Sequence, residues 1–158
     1  MHGAAQKPPS KIYPVSIALS TKMRDRALVK NSSQVESIYG YWPSFHDAEI
    51  LNIRFARGLS ANEKVASVIV DLNYWETKAI NEGTSALDYV LDKNNIIAIE
   101  FSGLVTSLVS GFSFQNVIDE LLLTEIEEGI KAEFVSIHGA EVMFVCKAVA
   151  VLGVWANA

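Results

Sequence analysis

Tyr39-Gly40-Tyr41-Trp42-Pro43-Ser44-Phe45-His46-Asp47-Ala48-Glu49-Ile50 holds the densest set of special residue types in the chain. Directly after it, Leu51, Ile53 and Phe55 alternate with Asn52, Arg54 and Ala56, the period-2 pattern of a half-buried strand. Gly40 and Pro43 are punctuation of the kind that ends regular structure. The aromatics therefore belong to an irregular connection that leads into the strand. On this reading Trp42 and Phe45 plug the open end of a sheet, and His46-Asp47 lie where loop becomes strand. The rest of the chain reads as a sheet built around this corner.

The 158 residues are half hydrophobic and one-fifth charged, which suits one soluble globular domain. A chain of this size buries roughly 70% of its unfolded surface. Cys146 is the only cysteine, so no intramolecular disulfide and no cysteine-rich metal site can form. Pro8, Pro9 and Pro14 interrupt any signal-peptide core, and Lys147 interrupts the late apolar run from Val142 to Trp155. That run is also shorter than the roughly 20 residues a membrane helix needs. The expectation is a cytoplasmic protein with no membrane partner.

The net charge of −5 hides an asymmetry. Residues 1–30 carry Lys7, Lys11, Lys22, Arg24, Arg26 and Lys30 against Asp25 alone, so the remainder holds −10. A basic, flexible extension over 1–30 preceding a single domain over 31–158 is the expected organisation. Residues 1–14 read as a disordered leader and 15–19 as a weak strand or part of that extension. An acidic body argues against nucleic-acid binding by the fold and suits a basic partner.

Asn31, Ser32 and Ser33 offer helix caps, and Glu36 stands in capping-box spacing from Ser33, which predicts a short helix over 34–39 ending at Gly40. Strands are expected at about 48–57 and 66–75, joined across a polar turn at 58–63. Residues 76–94 read as polar and irregular, with a helical turn near 86–91. A central strand follows at 96–104, which residues 105–113 continue or break at Gly111. Phe114, Val117, Ile118 and Leu121 fall at helical spacing and predict a short amphipathic turn, with Gln115-Asn116 capping its head. Strands near 130–138 and 141–152 complete an α+β domain of five to six mostly antiparallel strands in a curved sheet, with one or two short helices.

His46-Asp47 draws attention because aspartate orients histidine in many catalytic and metal sites. Neighbours on a strand point to opposite faces, so the two side chains meet only if the backbone bends there. A metal site would need His138 alongside them, and no further ligand stands at a recognisable spacing. The favoured reading is that the pair ties down the corner. No phosphate loop, nucleophile elbow or paired carboxylates occur, so no catalytic residue and no cofactor are expected. Cys146 alternates with apolar neighbours, as a core thiol does. Tyr74 and Trp75 end the second strand and either pack in the core or line a pocket with Trp42, Phe45 and His46. Glu120, Glu125, Glu127 and Glu128 lie in an acidic stretch, a solvated face or an electrostatic docking patch.

Trp42-Pro43-Ser44-Phe45-His46-Asp47-Ala48-Glu49 before a hydrophobic strand, with Phe112-Ser113-Phe114-Gln115-Asn116-Val117-Ile118 before an acidic stretch, resembles the immunity protein 50 family. The similarity runs from about Ile38 to about Leu152. These are small bacterial proteins associated with polymorphic toxin systems. The resemblance implies that the chain protects its cell by binding a cognate toxin domain, without catalysis, and carries over no catalytic residues. The basic leader departs from the pattern. Two other readings remain: a small-ligand binder or enzyme with a pocket near Trp42 and His46, and a homodimer joined through strand edges.

Overall fold

In the computed structural model, residues 25–58 and 65–158 are described. The expected leader, the strand at 15–19 and most of the turn at 58–63 lie outside these residues. The described chain runs β1 (Val29–Lys30), α1 (Ser33–Tyr39), β2 (Glu49–Arg57), β3 (Ala66–Ile80), β4 (Asp88–Ser102), β5 (Thr106–Ser110), β6 (Val117–Ile126), β7 (Gly129–His138), β8 (Glu141–Cys146) and β9 (Ala148–Ala156). The nine strands form one sheet in the order β1-β9-β4-β3-β2-β6-β7-β8-β5. Among the described residues only β1 and β9 pair in parallel, so the sheet is mixed. The expected α+β domain of five to six strands is thus corrected to a predominantly β fold. Among the described residues no helix is long and apolar enough to cross a membrane.

The missing strands have identifiable causes. β4 begins at Asp88, so the segment read as irregular is one side of a long hairpin with β3, paired from Ile80↔Asp88 to Ser67↔Ser102. Its outer residues are all exposed, and the consecutive Tyr89, Val90 and Leu91 break the alternation that betrays a half-buried strand. The predicted amphipathic turn is β6. Its register shifts at Ile118, so the buried Ile118 and Leu121 fall three residues apart and imitate helical spacing. The late run is two strands, because the chain bends at Lys147 between β8 and β9.

That bend helps fold the sheet onto itself. Lys147 N–H donates to the Ser102 carbonyl (2.9 Å), and Val105 N–H donates to the Val145 carbonyl (2.7 Å). The adjacent β4–β5 and β8–β9 segments thus turn the same corner together, carrying the chain from one half of the sheet to the other. Across the fold, Phe101 of β4 meets Phe134 of β7 and Phe144 of β8 at ring-centroid distances of 5.7 and 5.3 Å. None of these strands neighbours β4 in the sheet, so the contacts define a core between two layers. α1 buries Val35 and Tyr39, with Ile38 packed beside them. It ends as expected at Gly40, whose φ of +84° favours glycine and whose N–H bonds the Glu36 carbonyl (2.7 Å). Of the three offered caps Ser32 is the N-cap, without a side-chain bond, and in place of a capping box Glu36 pairs with Arg26.

Candidate functional site

The stretch from Trp42 to Ile50 is the second place where the two layers join. β2 and β6 share a single ladder pair, Glu49↔Val117. The preceding loop extends this contact through main-chain bonds along β6: Leu121 N–H to Ser44 O, Asp47 N–H to Ile118 O, Ile118 N–H to Ala48 O, and Ile50 N–H to Asn116 O, all 2.8–3.0 Å. Phe45 and Asp47 adopt φ values of +64° and +62°. Such left-handed backbone is uncommon for a phenylalanine and marks a tightly specified corner.

These two turns sort the motif into an inner and an outer set. Inside, Phe45 is fully buried, with Trp42 and Tyr74 nearly so. The Trp42 and Phe45 rings meet edge-on at 5.2 Å, Phe45 meets Tyr74 at 5.5 Å, and Tyr74 meets Tyr39 at 5.1 Å. Tyr39 Oη donates to the Tyr74 carbonyl (3.0 Å) and accepts from Asn95 Nδ2 (2.9 Å). The rings fill the core against one another, and Trp75 is half-buried beyond them. Burial raises the pKa of Tyr39 and Tyr74. Burial, then the hydrogen bond to Glu76, raises that of Tyr41.

Outside, His46 and Asp47 stand in solvent. The bend lets the neighbours approach, with Nε2 3.5 Å from Asp47 Oδ2. The shorter contact is to Asp119 on β6, whose Oδ1 and main-chain oxygen lie 2.9 and 3.2 Å from Nδ1. The main-chain oxygen of Asp119 contributes most to raising the His46 pKa; slight desolvation opposes it, and the two carboxylates add to the rise. Asp119 carried no sequence signal as a partner, being 73 positions away. His138 pairs with Val117 at the end of β7. Among the described residues no group of three or more His, Cys, Asp or Glu is placed to hold a metal ion.

Asn116 is the residue whose weight the sequence understated. It is 2% exposed. Its Oδ1 accepts from Ser113 N–H (2.8 Å) and Ala140 N–H (3.2 Å), while Nδ2 donates to the carbonyls of Ser113 (2.9 Å) and Ile50 (3.4 Å). One side chain therefore ties β2, β6 and the β7–β8 turn together, in place of capping a helix. Cys146 is buried, and burial pushes its thiol up to about 11, which leaves it unreactive at neutral pH.

The acids separate by position. Glu125, Glu127 and Glu128 are exposed at the tip of the β6–β7 hairpin, whereas Glu120 is half-buried further back along β6. A different opening lies between β2 and β5. Asn52, Ile53, Phe55, Val109 and Phe112 enclose a cavity of about 190 Å³ there.

Fold and site together describe a β protein whose most conspicuous motif is a structural corner, with three exposed acids grouped at a hairpin tip. Residues 31–156 match the family model of immunity protein 50, and the chain belongs to that family. Membership makes it an immunity protein by family and implies a toxin as its partner. Comparison with curated proteins and with solved structures gave no match.

Proposed function

We propose that this protein neutralises a cognate bacterial toxin of a polymorphic toxin system by binding it non-covalently in the cytoplasm, without catalysis of its own. The match to the immunity protein 50 family over residues 31–156 carries the reading. The acidic hairpin tip supports a partner with a basic face. Glu125, Glu127 and Glu128 project together into solvent, where charge steers encounter and sets orientation. Co-expression with the toxin encoded beside its gene tests the proposal. Restored growth together with a stoichiometric complex on copurification is the expected result. Rescue without a complex, or a toxin recovered chemically altered, would overturn it.

A further inference from the structure

β5 is the terminal strand at one edge of the sheet, and all five of its residues are exposed. Thr106-Ser107-Leu108-Val109-Ser110 contains none of the charges or prolines that usually blunt such an edge. One side of its backbone pairs with β8; the other has no strand partner among the described residues. β2 is in the same state beyond Ile50, since its only pair with β6 is at Glu49. Both strands border the 190 Å³ cavity.

Register shows that the cavity opens on the core. Ile53 and Phe55 lie opposite Val70 and Val68, and Val109 lies opposite Val142. All three of these valines are buried. Phe55 and Val109 therefore belong to the core face, yet they are 56% and 38% exposed. Phe112, at 49%, completes the apolar lining. Arg57 follows on the same face as Phe55, opposite Ala66, exposed and without an ion-pair partner among the described residues.

We infer that this opening receives an extended segment of the toxin, added as a strand to the free edge of β5. A row of main-chain donors and acceptors at strand spacing is matched by another backbone. The cavity below it accepts one large or two small apolar side chains from alternate positions of that strand. Arg57 sets the charge requirement, an acidic side chain or a terminal carboxylate at one end of the segment. The toxin segment thus reads apolar-x-apolar with a flanking acid. This inference rests on the toxin-binding reading and assigns it a surface separate from the acidic hairpin tip.

The test uses the full chain and the catalytically inactivated toxin encoded beside its gene. Val109→Asp places a charge in the cavity, and Arg57→Glu reverses the lip at an exposed position where the fold does not depend on the side chain. Each is expected to weaken the measured Kd about tenfold or more. Amide exchange at Thr106–Ser110 is expected to slow in the wild-type complex. Wild-type affinity in both variants, with growth rescue intact, overturns the strand site and leaves the immunity reading standing. Failure of the unmodified chain to bind the toxin removes both. If sedimentation shows a dimer that Val109→Asp dissociates without changing toxin affinity, the occupant is a second copy and the inference falls.

Discussion

At the scale of single residues, the corner shows why side-chain types were easier to notice than to assign. His46 and Asp47 stand out in the sequence, but their roles depend on two left-handed residues and on Asp119 from a distant strand. Asn116 reads in the sequence as a local cap, yet its four hydrogen bonds join three parts of the fold. The raised pKa of His46 carries a testable consequence. The folded chain holds this proton more tightly than the unfolded chain does. The stabilisation is therefore complete below the ordinary histidine value of 6.5 and is lost as pH rises through the raised folded value. His46→Gln should lower the Tm at about pH 5.5 and leave it nearly unchanged at about pH 9. The ring is largely exposed, so solvent screening limits the effect to about 0.2–1 kcal/mol. An equal loss at both pH values would show that the proton contributes nothing.

At the scale of elements, the legible segments were those that carry a clear periodic or capping pattern. β2, β7 and α1 fall close to their expected positions because an alternating or capped pattern marks each one. The outer part of the β3–β4 hairpin was opaque because solvent surrounds it. β6 was misread because a bulge converts period 2 into an apparent period of three. The β7–β8 turn shows how little room such joints allow. Gly139 has φ +85°, and a Cβ there would stand 2.3 Å from the Gln115 carbonyl oxygen and 2.7 Å from Asn116 Oδ1. Gly139→Ala should cost about 2–4 kcal/mol, combining left-handed strain with displacement of the Asn116 network. Urea unfolding measures this directly, and a midpoint equal to wild type would show that the turn relaxes freely.

At the scale of the whole molecule, charge is distributed along the chain in a way that composition alone conceals. The segment after residue 30 carries −10, and its hairpin tip groups three acids within four positions. Fields of this kind act over about 8 Å at physiological ionic strength and mainly affect association. Reversing Glu125, Glu127 and Glu128 to lysine should slow association with the toxin severalfold at low salt and little at high salt, with dissociation nearly unchanged. Stopped-flow rate constants that match wild type at both ionic strengths would exclude the tip from encounter. The folding of the sheet was beyond reach of local pattern, because it depends on Phe101 meeting Phe134 and Phe144 from the opposite layer.

β9 lies inside the sheet, with β1 on one flank and β4 on the other. Until Ala148–Ala156 dock, β4 lacks one flank and β1 has no strand to pair with among the described residues. Completion of this layer therefore waits on the distant pairing of Val29 with Val149, the kind of non-local step that slows the folding of a sheet.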